Sequence, residues 1–335
     1  MLYVGVDAHS KRSHITVMDE KGKIVKRAEV ASSRESISRA LGRYREPLKA
    51  TVEASRCWGP MYDWLDEVAE EVVLAHPLKV RAIAEARIKT DKIDSETLAH
   101  LLRADLIPAA YAPSGEVRAT KRVLRQRMFL VRVRGMVKNR IHALLGQHEV
   151  RPPEVSDLFG GKGRSWLESL VLPSPDGELL REDLVLLDVI SERIKGTEHL
   201  IEQLAKGDEA VVWLSSLPGI GPFLSVLIRY EVDRIERFRS AKKFAGYTGL
   251  VPSTYASGER MVHGRITKQG NKWLRWAFIE AVRPAICNSP SLRRFYERLK
   301  ARRGAKDAKT ATARKLVELV WTVWTEKRCY EEHRH

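Results

Sequence analysis

An α/β amino-terminal domain on a mixed sheet, an all-α linker or coiled coil, and a mainly helical carboxy-terminal domain are the fold class this sequence predicts. Up to residue 112, short β-rich runs alternate with helical stretches. A strongly basic helical pattern with a seven-residue apolar repeat follows, and from about residue 209 the pattern stays helical. The expected divisions are 1–112, 113–208 and 209–335, and 335 residues at roughly 150 per domain allow more than one core.

The chain opens with LYVGVDAH, SHITVMD and KIVKR, three β-rich runs separated by turn-formers such as Lys21-Gly22, and these predict an antiparallel meander. A helix is expected over Arg34 to Tyr44, a strand at LKATVEAS, a helix over Trp58 to Glu70 and a short strand at EVVLAHP. Residues Lys79 to Leu106 read as helical with KTDKID interrupting, and Pro108 and Pro113 mark a boundary. Val123, Leu130, Val137 and Leu144 then recur every seven residues, which suits either a coiled coil or an ordinary amphipathic helix. Pro152, Pro153, Gly160 to Gly163, Pro173 and Pro175 predict a loop-rich insertion before a second helix from about Leu179 to Ala205.

Composition narrows the partner. Lys and Arg number 59 against 43 Asp and Glu, a formal net charge of +16, so a polyanion is expected. Nine of those cations and no acid lie between Val117 and His148, and ten cations against two acids lie between Arg293 and Lys315. Cys57, Cys287 and Cys329 are too scattered for a disulfide framework or a metal knuckle. With no long apolar run and an Asp inside the first apolar stretch, the sequence predicts neither a membrane span nor a signal peptide, and the expected location is cytoplasmic, at the nucleoid.

Four acids form the first candidate site. Asp7 ends the first strand run, Glu53 lies near the end of another, and Asp91 and Asp94, three apart, share one face at the start of a helix. Each alone could cap a turn, pair with an Arg or favour a helix dipole. Gathered at a sheet edge, they would repel one another unless divalent cations, Mg²⁺ or Mn²⁺, neutralised them, and such ions clamp the oxygens of a phosphoryl transfer.

The second candidate site runs from Phe244 to Val282. Glycines that let backbone N–H groups approach phosphates are interleaved there with Arg260, Arg265, Lys268, Lys272 and Arg275. Ser257, followed by Gly258 in a predicted Gly-rich loop, is the candidate nucleophile, with Ser253 and Thr254 as neighbours that could serve instead. Upstream, the LPGIG turn carries Gly219 and Gly221, which would offer backbone N–H groups to a phosphate or simply join two helices. Trp273, Trp276, Trp321 and Trp324 are expected in the core.

VGVDAH with Asp7, TVEAS with Glu53, KTDKID with Asp91 and Asp94, and then LPGIG, FAGYTGLVP and SGERMVHGRITKQGNKWLR together resemble the DEDD-type insertion-sequence transposases of the IS110 family. Small departures are His76 before Pro77, where Asn is common, and Ser95 after Asp94, where Ala is common. The resemblance implies a RuvC-like domain of the ribonuclease H fold, a dimerising coiled coil and a catalytic serine at Ser257 that becomes joined to DNA. It also implies that Asp7, Glu53, Asp91 and Asp94 bind Mg²⁺, that a structured RNA guides donor and target DNA, and that the protein acts as a homo-oligomer, dimer or tetramer.

The expected activity is thus DNA transposition or recombination, with Ser257 and the acids at one composite site. Two rivals remain at this level: a RuvC-type nuclease using metal-activated water, and a nucleic-acid-binding protein without catalysis.

Overall fold

The computed structural model describes residues 1–84, 91–257 and 260–332, with the backbone alone at residues 92, 254–257, 260–263 and 265. The chain forms two compact units, Met1–Gly115 and Glu116–His335.

In the first unit the chain runs β1 (Leu2–Ala8), β2 (Arg12–Met18), β3 (Ile24–Ala31), α1 (Arg34–Leu41), β4 (Leu48–Glu53), α2 (Trp58–Asp66), β5 (Glu71–Ala75), α3 (Pro77–Ile83) and α4 (Asp91–Arg103). The sheet order is β3-β2-β1-β4-β5, with β1 antiparallel to β2, β2 antiparallel to β3, and β1, β4 and β5 parallel. This mixed sheet is consistent with a ribonuclease H-like fold. Its central strands are apolar because both faces are covered: Val4, Val6, Ala50 and Val52 are fully buried, packed with Ile37, Leu41, Met61 and Leu65 from α1 and α2. The meander, both helices and both later strands lie where the sequence puts them, but α1 stops at Leu41 and α2 at Asp66, short of Tyr44 and Glu70. Gly42 follows Leu41, and the backbone N–H groups of Val68 and Ala69 turn back to the Leu65 carbonyl, so neither helix continues.

Helix α4 lies directly on β1. A Cβ at Gly5 would sit 2.1 Å from the Ser95 carbonyl oxygen and 2.5 Å from the Ala99 nitrogen, so only glycine allows this approach. The Thr16 and Ser95 hydroxyls, 2.9 Å apart and buried, tie the same helix to β2. Gly5→Ala is expected to cost about 1–3 kcal/mol through overpacking, read as a lowered melting temperature of the intact chain, because backbone must move to make room.

The second unit begins with α5 (Gly115–Gln147), followed by α6 (Gly161–Ser169), α7 (Asp176–Ala205), α8 (Glu209–Ser215), α9 (Pro222–Val232), α10 (Ala241–Thr248), β6 (Pro252–Ser257), β7 (Arg260–Ile266), α11 (Lys272–Asn288), α12 (Pro290–Arg303) and α13 (Ala305–Thr325). The heptad positions Val137 and Leu144 are buried, with Ile141 and Leu145, against Leu180, Leu184, Leu187 and Ile190 of α7. Ion pairs Arg127–Glu198 and Arg140–Asp183 and the 2.7 Å hydrogen bond between His148 and Asp176 set the two helices antiparallel, so the seam is satisfied within the chain. The expected loop-rich insertion holds a helix: Gly161 and Gly163 sit in the first turn of α6, and Leu167 anchors it in the same core.

Around a second core, Phe244, Leu274, Phe278, Leu316, Val320 and Trp324 join α10, α11 and α13 to Leu227 and Ile228 of α9 and Leu124 of α5. Trp321 packs against it and Trp273 is half-buried, whereas Trp276, expected inside, is 38% exposed. It shares the helix face of the exposed Lys272 and Glu280, turned away from buried Leu274, Ala277 and Phe278.

Candidate active site

Asp7 is the penultimate residue of β1 and Glu53 the last of parallel β4. Because Val6 pairs with Val52, both carboxylates stand at the carboxyl ends of adjacent strands, next to each other in register. Asp91 opens α4 and Asp94 follows one turn later, where the helix dipole favours both. Ser95, the next residue, is the one pressed onto Gly5, so the packing of α4 delivers its first turn to the end of β1.

Two histidines that the sequence reading missed complete the cluster. His9 Nε2 lies 3.1 Å from Asp7 Oδ2 and 3.6 Å from Asp91 Oδ1, and His14 Nε2 lies 3.6 Å from Asp91 Oδ2. Each had a signal: His9 is two residues beyond Asp7, hence on the same side of an extended chain, and His14 pairs with Asp7 across β1 and β2. Among the described residues, Asp7, His9 and Asp91 have ligand atoms all within 4.8 Å of one another. Glu53 and Asp94 are not in that set, so what gathers most tightly is two carboxylates and an imidazole rather than four carboxylates.

Burial raises the Asp7 carboxyl above its ordinary pKa; His9 pulls it back, and the charges of Asp91 and Asp94 push it up further. A half-buried carboxylate held against two others is a site that a divalent cation would relieve, and the donor set fits one. Oxygen ligands suit Mg²⁺, while the added imidazole is a donor Mn²⁺ also accepts.

Ser257 is the last residue of β6 and pairs with Arg260 of β7, so the expected Gly-rich loop holds two paired antiparallel strands, and Gly258 and Glu259 between them lie outside the described residues. The β-forming residues Thr254, Tyr255, Met261 and Val262 on either side of Ser257-Gly258 explain the strands. The side chains of Ser257, Arg260 and Arg265 also lie outside the described residues. Lys268 is exposed with φ +53°, and Lys272 is exposed with its ammonium 4.8 Å above the Trp273 ring. Arg275 is occupied by the fold: its Nη1 donates to the carbonyls of Lys268 at 2.9 Å and Thr248 at 3.4 Å. Gly219, with φ +83°, presses on α11, where a Cβ would fall 2.3 Å from the Ala281 carbonyl oxygen. Gly221 is exposed, with open space around it, and caps α9.

Ten residues upstream of Lys315 the chain turns from α12 into α13, and Ser291, Arg294, Phe295, Arg298 and Lys315 line a groove of about 520 Å³ on that pair. No helix among the described residues is long and apolar enough to cross a membrane.

Comparison with known proteins bears on the same segments. A DEDD transposase model of the IS110 type matches residues 4–149, and the model of the transposase IS116/IS110/IS902 family matches residues 212–297. The chain is 28% identical to a probable family 20 transposase of Pseudomonas aeruginosa over 91% of this chain and 94% of that protein. It is 25% identical to a putative transposase, y4qE, of Sinorhizobium fredii, over 83% of this chain and 70% of that one. Against the transposase of insertion sequence element IS1328 from Yersinia enterocolitica the identity is 24%, over 78% and 79%. With one model on the unit that bears the acids and the other on the segment that bears Ser257, the chain belongs to the IS110/IS116/IS902 family of DEDD transposases.

Proposed function

We propose that this transposase cuts and rejoins DNA through Ser257, assisted by a divalent cation held by Asp7, Glu53, Asp91 and Asp94, with a structured RNA as guide. The observation that carries the reading is the meeting of Asp7 and Asp91 within metal-ligand reach, beside the strand end that bears Glu53. A cation bound there supplies Lewis-acid stabilisation of the charge that grows on the phosphoryl oxygens. His9, hydrogen-bonded to Asp7, orients that carboxylate. The Ser257 oxygen forms a bond to phosphorus as a deoxyribose oxygen leaves, and the basic residues of the hairpin, Arg260 and Arg265, offset charge on the phosphate. Lys268, Lys272 and the backbone N–H groups after Gly221 are proposed phosphate contacts; Arg275 and Gly219 act by holding the fold. Exposed apolar side chains on α5 and α7, Phe129, Met136, Val185 and Val189, support assembly into a homo-oligomer.

The test is a cleavage reaction on element-end DNA, with and without Mg²⁺ and with and without RNA transcribed from the element's non-coding flank, resolved on a denaturing gel. A protein–DNA adduct that needs the metal and the RNA is expected. Recombination indifferent to any RNA would overturn the guided part.

The groove on α12 and α13 gives a separate prediction. Replacing Arg294, Arg298 and Lys315 together by Ala is expected to weaken DNA or RNA binding and to flatten its logarithmic salt dependence by up to about 3 in slope, near 0.9 for each duplex phosphate no longer neutralised. A titration series from low to moderate salt checks it, and an unchanged slope would remove the groove from the binding surface.

A further inference from the structure

Glu231 is a carboxylate 1% exposed inside a basic unit, and among the described residues its hydrogen-bond donors are Arg125 of the long basic helix and Asn271, just beyond the Ser257 hairpin. Its Oε1 accepts from Arg125 of α5, Nε at 3.1 Å and Nη2 at 2.8 Å; its Oε2 accepts from Asn271 Nδ2 at 2.8 Å, with Lys121 Nζ 4.0 Å away. Buried ion pairs of this kind add little net stability compared with apolar packing, so geometry is the more informative reading of their contacts.

The geometry converges on Asn271, where the chain coming from β7 turns into α11. Its Oδ1 accepts from the backbone N–H groups of Trp273 and Leu274, its Nδ2 donates to Glu231, and its own N–H donates to the Tyr247 carbonyl at the end of α10. The two legs of the hairpin are joined just above: Thr267 N–H donates to the Val251 carbonyl at 2.9 Å. Gly270, with φ +120°, lies so close to Tyr247 that a Cβ would meet its carbonyl oxygen at 2.3 Å. Arg125 also stacks over the Trp273 ring at 5.5 Å, which adds an aromatic contact to the same junction.

We propose that Glu231 is a positioning residue for the transposition reaction, acting through Asn271 to set the direction in which the β6–β7 hairpin carries Ser257. This rests on the reading of Ser257 as nucleophile. From Pro252 to Ser257 the strand extends about 17 Å at ~3.3 Å per residue, so a rotation of about 10° at the base displaces the serine by about 3 Å. Misplacement of a reacting group by about 1 Å can cost ~10²-fold in rate, so the junction sets reactivity without touching DNA.

The pair can be broken without removing the helix cap. Asn271→Asp keeps an oxygen for the Trp273 and Leu274 N–H groups but loses the donor and faces Glu231 with a like charge. It is expected to slow adduct formation by about 10²-fold while DNA binding stays within a few-fold. Adding Glu231→Gln to it restores a donor and an acceptor with reversed polarity and removes the like-charge repulsion, the one remaining negative charge now lying on residue 271, so the double variant is expected to regain at least about tenfold. If Asn271→Asp does not fold, as judged by circular dichroism, Asn271→Ser keeps the cap, is too short to reach Glu231 and carries the same expectation. A folded single variant that forms adduct at the parent rate, or a folded double variant no faster than the single, overturns the proposal. Ser257→Ala run in parallel separates the two readings: an adduct that survives it removes the nucleophile assignment, whereas an adduct lost there but unaffected by the Asn271 variants removes only the positioning role.

Discussion

Asp7→Asn is expected to lower DNA cleavage by about 10³-fold or more and, in the absence of metal, to make the protein more stable at neutral pH. The two effects have one cause. Asp7 is half-buried beside Asp91 and Asp94, and its carboxyl is raised because that setting disfavours the anion. A carboxyl raised in the folded state contributes stability that is fully present below its unfolded pKa and is lost as pH rises through the higher folded value. At neutral pH the ionised Asp7 is therefore a cost, which asparagine removes and a bound divalent cation offsets. Thermal melts of parent and variant between acid and neutral pH, with and without Mg²⁺ or Mn²⁺, check this. The parent's stability should fall with rising pH and recover with metal, and the variant should show less of both. Full cleavage by Asp7→Asn in excess EDTA would overturn the metal reading.

Ser257→Ala is expected to abolish the covalent protein–DNA adduct, with a loss of about 10⁴-fold or more in strand transfer and DNA and RNA binding unchanged. An alkyl side chain cannot form the bond to phosphorus, and the nearby cations that support binding are untouched by the change. Mapping the adduct by mass spectrometry distinguishes the serine from its neighbours: attachment at Ser253 or Thr254 would move the assignment within β6. Cleavage by Ser257→Ala at the parent rate, with no adduct in either protein, would pass the reaction to a metal-activated water.

The opening meander, α1, β4, α2 and β5 are legible in the sequence because short β-rich runs alternate with stretches of helical period, with turn residues between. Helix ends are less legible, since Gly42 and the turn after Leu65 act through backbone hydrogen bonds that side-chain pattern does not encode. The hairpin that carries Ser257 reads as a loop because its glycines outweigh the β-forming residues Thr254, Tyr255, Met261 and Val262. At the acidic site, strand ends and helix starts can be placed from sequence, but which ligand atoms meet depends on register and on Gly5 admitting α4. That is why His9 and His14 emerge only in three dimensions. Glu231 gives no signal at all: an acid among apolar residues on α9 looks like an interruption until Arg125 and Asn271, 106 and 40 residues away, are seen beside it.

Strand β3 forms one outer edge of the sheet, and none of its residues is fully buried. An open edge of eight residues is a template on which strands of other molecules could add, one route to insoluble aggregates when a protein is made in quantity. Lys26, Arg27 and Glu29 lie on this strand, and Arg27 and Glu29 are paired with Glu96 and Arg12 respectively. A strand from another molecule would have to dock against these held charges, with a cation and an anion on the same outward row. This charged edge thus limits association of the sheet with copies of itself, and neutral substitutions at Lys26, Arg27 and Glu29 would trade solubility for a stickier border.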